Sequence, residues 1–153
     1  MRLSAEAIEV NNHINIVTRL SNLSLQLYGW YIQNGHARNE DDETGVKQFL
    51  KNNLPPGDWH QSGFYERLYL FQTYCWFAFI RQDFLMYYRY AQKWVDLFSE
   101  QPLMVRVETG HYIKGLHNLL NAHFDLRNYQ KFEISLKQFE ALSNIPHDEE
   151  AHQ

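Results

Sequence analysis

Phe84, Tyr87, Ala91, Trp94 and Leu97 follow one another at steps of three or four residues, the spacing that lines side chains along one face of a helix. Shifted by 45 residues, the same steps fall on Tyr129, Phe132, Leu136, Phe139 and Leu142 in the segment NYQKFEISLKQFEAL. The preceding stretch obeys the same offset, with Phe71, Tyr74, Cys75 and Phe79 corresponding to Leu116, Leu119, Leu120 and Phe124. A period shared by two consecutive helices points to stacked helical hairpins, because a lone hairpin cannot bury its apolar face. Asp83 and Asn128 stand before the second helix of each copy, where their side chains can accept the open backbone N–H groups of a first turn.

Along the chain, Ile8, Ile16, Leu20, Leu23, Leu27 and Tyr31 predict a first helix over 4–33, stopped at Asn34-Gly35. A second helix is expected over 42–53, with the acidic run Glu40–Glu43 at its positive end, Val46, Phe49 and Leu50 inward, and Pro55-Pro56-Gly57 closing it. A third runs from Ser62-Gly63 to Arg81 and a fourth from Asp83 to Ser99. A fifth starts near Pro102 and reaches Phe124, and a sixth covers 128–143 before Pro146. The expectation is one all-α domain over 1–146 with hairpins at about 4–54, 62–100 and 102–144, a fraying tail at 147–153, and a chain that is a segment of a longer protein. Ten Phe, ten Tyr and four Trp forecast aromatic helix interfaces.

The last two hairpins resemble tetratricopeptide repeats (TPRs). In that family an aromatic residue opens the second helix after a short turn. Here the pattern reads Gln82-Asp83-Phe84 and Arg127-Asn128-Tyr129. Small residues sit where the family's helices cross closely, as Cys75, Ala78 and Ala91 do in the second hairpin. The third hairpin departs with Leu120, His123 and Leu136, while Phe132 and Phe139 stand where the family favours alanine. The period also exceeds the family's usual repeat of about 34 residues. The resemblance implies a TPR-like right-handed α-solenoid whose concave side binds a peptide or partner protein. It would place Tyr69, Gln72, Thr73 and Trp76 of the third helix and Lys114, His117, Asn118 and Asn121 of the fifth on that side. In some members Lys and Asn at such positions hold a terminal carboxylate, which Lys114, Asn118 and Asn121 match in part.

Few patterns of catalytic chemistry occur in the sequence. His111, His117 and His123 are six residues apart, a step that does not stack ligands on one helical face, and no HExxH or Cys/His cluster occurs. Cys75 lies in an apolar helix, where a thiol packs as a small hydrophobe. There is no glycine-rich phosphate loop, and Glu40–Glu43 lack the spacing of a calcium loop. A net charge of -4 without a Lys/Arg cluster argues against nucleic acid. No apolar run approaches the roughly 20 residues a membrane helix needs, and the N-terminus lacks a signal-peptide core. A single cysteine is compatible with the cytoplasm.

The leading expectation is therefore a non-catalytic protein-interaction module with no cofactor and no metal, its best anchors being Trp76 and Tyr69. The alternatives are a small-molecule-binding or enzymatic helical domain using His117, His123 or Tyr74, and a structural module that self-associates as a homodimer.

Overall fold

The structure, a computed structural model, describes the backbone of residues 5–142 and the side chains of residues 15–142. Ile8, Pro146 and the expected tail lie outside the described side chains. The described residues form seven helices and no strand, so the protein is all-α. The chain divides into two compact units, Met1–Gln82 and Asp83–Gln153, which separates the helices of the expected hairpin over 62–100.

The first unit contains α1 (Ala5–Asn34), α2 (Glu40–Asn53) and α3 (Phe64–Arg81). Leu20, Leu23 and Leu27 of α1 are buried, as the stripe predicts, and α1 packs chiefly on α3. The contacts between these helices rise together in number. Thr73 meets Leu20, Trp76 meets Tyr28 and Phe79 meets Tyr31, so the two run in the same general direction.

The α1–α2 connection also closes the end of α3. Ala37 N–H donates to Ile80 O at 2.8 Å, and His36 Nδ1–H donates to Phe79 O at 3.0 Å, which supplies donors to carbonyls that a helix end leaves open. α2 begins at Asn39, whose Oδ1 accepts from Asp42 N–H at 2.9 Å, with all four acidic residues in its first turn. One of them, Glu43, accepts from Arg81 Nε at 2.8 Å and ties the start of α2 to the last turn of α3.

The second unit contains α4 (Phe84–Glu100), α5 (Met104–Val107), α6 (Thr109–Asp125) and α7 (Tyr129–Ala141). Asp83 caps α4 by accepting from Met86 N–H at 3.1 Å. Asn128 begins α7 without a side-chain cap bond. α4 and α6 are antiparallel, since Tyr87 bonds Asn118 whereas Phe98 packs on Tyr112, and α6 packs in turn on α7.

The single fifth helix expected from Pro102 is instead two pieces. The chain leaves helical geometry at Glu108 (φ -119, ψ 47), and the Thr109 hydroxyl donates back to Val105 O at 2.7 Å, a local bond that competes with regular helix. The stripe on α4 is buried at Tyr87, Ala91, Trp94 and Leu97 but open at Phe84, whereas its counterpart on α7 is only half covered or exposed.

The 45-residue offset recurs in the backbone. Gln82 (φ 55) and Arg127 (φ 57) are the non-glycine residues of positive φ among those described, and they occupy equivalent positions. The residues that follow also agree, Asp83 at φ -85, ψ 86 and Asn128 at φ -94, ψ 72. Left-handed non-glycine residues are uncommon, so two at one repeat distance mark the same helix-stop device used twice.

Trp94 sets the position of α6. Its indole N–H donates to His111 O at 3.0 Å, and its ring lies over the bare backbone at Gly115. A Cβ there would stand 2.7 Å from Trp94 Cδ1 and 2.8 Å from Nε1, with the rigid indole unable to yield alone. Gly115→Ala is expected to destabilise the protein by about 1–3 kcal/mol in urea unfolding. Gly45→Ala, whose Cβ meets nothing within 4 Å on α2, is expected to stabilise it by about 0.5–1 kcal/mol.

Candidate functional site

The residues expected to bind a partner fall into two sets, one in each unit. On α3, Thr73 is fully buried and its hydroxyl donates to Tyr69 O at 2.7 Å, so this residue is corrected from a surface position to a core one. The reason is its place against α1, where the same hydroxyl lies 3.5 Å from Leu20 O. Gln72 is half-buried, and its Oε1 is enclosed without a hydrogen-bond partner. Tyr69 is half-buried.

Trp76 is also half-buried, and it sits in a ring cluster. Its centroid is 5.2 Å from Tyr28 and 5.7 Å from Phe79, both edge-on, and 6.0 Å from Tyr31. Such pairs contribute about 0.5–1.5 kcal/mol each beyond area burial, so the indole is first a packing element and only its open edge is available to a partner.

On α6 the expected residues separate by face. Asn118 accepts from the Tyr87 hydroxyl at 3.0 Å and is occupied in holding α6 to α4. Lys114, His117 and Asn121 are exposed and lie along one line of the helix, opposite the buried Leu116, Leu119, Ala122 and His123. The next step on that line is Phe124, which is 59% exposed, and its ring lies 6.4 Å from that of Tyr129, which is 58% exposed. Phe132 extends the cluster at 6.0 Å from Phe124.

The sequence pattern assigned Phe124 and Tyr129 to apolar stripes because it could not show that α7 covers α6 only in part. The 114, 117, 121, 124 spacing was the signal that places Phe124 with the polar residues instead.

The Cys75 thiol is buried, and desolvation pushes it far above its ordinary range, so no thiolate is available. Among the described residues no three His, Cys, Asp or Glu side chains converge as a metal site. His60 bonds the exposed Asp58 carboxylate at 3.1 Å, and bonds from the His60 backbone and ring hold Asp58 below the usual carboxylate range. His111 Nδ1 pairs with Glu108 Oε2 at 2.9 Å. No described helix is long and apolar enough to cross a membrane.

His123 differs from the exposed His117. It is buried, its Nδ1 has no partner, and its ring packs 5.1 Å from Tyr88 of α4. Lys131 of α7 also stands by Tyr88, with Nζ 5.7 Å from that ring centroid. Burial lowers the His123 pKa from its ordinary value, and the Lys131 charge lowers it further.

No protein-family model, curated protein or solved structure matches the chain.

Because the unfolded chain binds this proton more readily than the folded one, the His123 contribution is complete above its ordinary pKa of about 6.5 and is lost as the pH falls below it. Urea unfolding of the wild type should weaken over that acid window, by at most about 1.4 kcal/mol per pH unit from this residue. His123→Asn should flatten the profile there. Superimposable slopes for the two proteins would remove His123 as the cause.

Proposed function

We propose that the protein is a non-catalytic, TPR-like interaction module, and that the outer line of α6 binds a segment of a partner protein. The observation that carries this reading is the sequence Lys114, His117, Asn121, Phe124 on one exposed face, ending beside Tyr129. Three hydrogen-bonding side chains followed by two open aromatic rings form the combination that protein recognition uses: polar groups that orient and aromatic groups that anchor. A helix face meant only for water does not need two large rings at its end.

The TPR-like solenoid is the finer part of the proposal. It is supported by the packing of α6 on α7 across the short connection at 126–128 and by the two matching left-handed stops at Gln82 and Arg127. Partner segments suited to this surface carry an apolar side chain for Phe124 and Tyr129, with a carboxylate or carboxamide in reach of Lys114 and Asn121. The free, buried Cys75 suits work in the cytoplasm. Tyr69 and the open edge of Trp76 are a separate, smaller contact surface in the first unit.

The test uses peptides selected from a random display library against the whole chain, with affinities then measured by fluorescence anisotropy. Phe124→Ala should weaken binding by about tenfold or more, as loss of an anchor worth at least about 1.4 kcal/mol requires. Lys114→Ala and Asn121→Ala should weaken it less. Circular dichroism and the thermal midpoint should hold in all three, because each side chain is exposed. Equal affinities across the set would reject the α6 line as the binding face.

A further inference from the structure

Asn34 is followed by Gly35, and no other asparagine of the chain precedes a glycine. The pair stands at the end of α1, with Asn34 exposed. Such a pair can modify itself, because glycine has no side chain to hinder attack of its backbone nitrogen on the asparagine carboxamide.

In the folded chain both reacting groups are engaged. Gly35 N–H donates to Tyr31 O at 2.7 Å, and the Asn34 side-chain amide donates to Trp30 O at 3.0 Å. Ring closure also needs Asn34 Cβ and the Gly35 nitrogen in one plane, whereas a helical ψ of about -42° holds them out of it. The last turn of α1 must therefore open before the reaction can start.

The residues after the pair give a change there its effect. His36 Nδ1–H donates to Phe79 O at 3.0 Å and Ala37 N–H donates to Ile80 O at 2.8 Å, so these two residues latch α1 to the end of α3. Their position depends on the length of main chain between Tyr31 and Ala37.

We propose that Asn34-Gly35 is a deamidation site gated by the last turn of α1, and that its conversion releases the His36–Ala37 latch on α3. When the turn opens, hydroxide takes the Gly35 N–H proton and the nitrogen attacks Asn34 Cγ. The N–Cγ bond forms as the Cγ–Nδ2 bond breaks, and ammonia leaves with a proton from water, which restores the hydroxide. A second water then opens the cyclic imide. Cleavage of the N–Cγ bond gives aspartate at position 34, and cleavage at the former backbone carbonyl gives isoaspartate. Either product puts a carboxylate at the negative end of α1, where the helix dipole opposes it. Isoaspartate also carries the main chain through Cβ and Cγ and lengthens it by an atom, so Gly35, His36 and Ala37 cannot all keep their carbonyl partners. The site belongs to the first unit, and its chemistry does not depend on what α6 binds.

Incubation of the full chain at mildly alkaline pH, with and without guanidinium chloride, tests this gating. Peptide mass spectrometry reads conversion at Asn34, and electron-transfer fragmentation separates aspartate from isoaspartate. The folded protein is expected to convert at least about tenfold more slowly than the denatured chain, since closed hydrogen bonds limit reaction to the open fraction. His36→Ala, with helicity retained, should raise the folded rate severalfold and leave the denatured rate unchanged. Converted protein, separated from the rest by its added negative charge, should exchange the Ala37 amide hydrogen severalfold faster than unconverted protein. Equal rates in the folded and denatured chains, a His36→Ala rate like that of the wild type, or unchanged Ala37 exchange after conversion would overturn the proposal.

Discussion

The seating of Trp94 against Gly115 determines what the second unit can present. The indole is almost wholly buried, bonded to His111 O and pressed onto a backbone that only glycine leaves bare. It therefore fixes both the distance and the rotation of α6 on α4. The Tyr87–Asn118 bond secures the same helix further along, and the two contacts together leave α6 no freedom to roll. Rotation is the quantity that matters, because a turn of about 100° per residue separates the buried Leu116 and Leu119 from the exposed Lys114, His117 and Asn121. One aromatic contact in the core thus sets which polar groups face outward.

The first unit solves the same problem with different chemistry. Its central helix pair has no glycine seat. α1 and α3 meet through leucines, the buried Thr73 and the Tyr28–Tyr31–Trp76–Phe79 rings, and the carbonyls ending α3 are taken by His36 and Ala37. Glu43 and Arg81 then hold α2 at that end. Each interaction is modest alone, but together they leave few polar groups unmet, Gln72 Oε1 being one exception.

Much of the helical layout was legible in the sequence because it depends on local signals. Asp83 caps α4, the acidic run opens α2, Gly35 with φ 72 ends α1, and the stripes at Leu20–Leu27 and Tyr87–Leu97 are buried where periodicity placed them. The misses share a cause, which is that periodicity identifies a face but not what covers it. Thr73 read as a groove residue because a polar side chain on a helix is usually solvated, while here α1 lies over it. Phe124 read as core because an aromatic is usually buried, while α7 leaves it open. His123 was invisible as a buried, unpartnered group because its neighbours Tyr88 and Lys131 stand on other helices, and its pKa is lowered first by burial and then by the Lys131 charge. The break at Glu108 is accompanied by the Thr109 hydroxyl turning back on the preceding turn, a bond that apolar periodicity does not show.

Hydroxyl-radical footprinting read residue by residue tests most directly the central claim, that named helix faces are built either to be covered within the chain or to be covered by a partner. At low protein concentration the account predicts strong labelling of Leu25, Tyr28, Ile32, Phe124 and Tyr129, and little labelling of Leu23, Leu27, Tyr87, Trp94 and Leu119. Labelling of Phe124 and Tyr129 should persist until a binding peptide is added. Strong labelling of Trp94 or Leu27, or protection of Phe124 in the dilute protein alone, would contradict the assignment of faces on which the account rests.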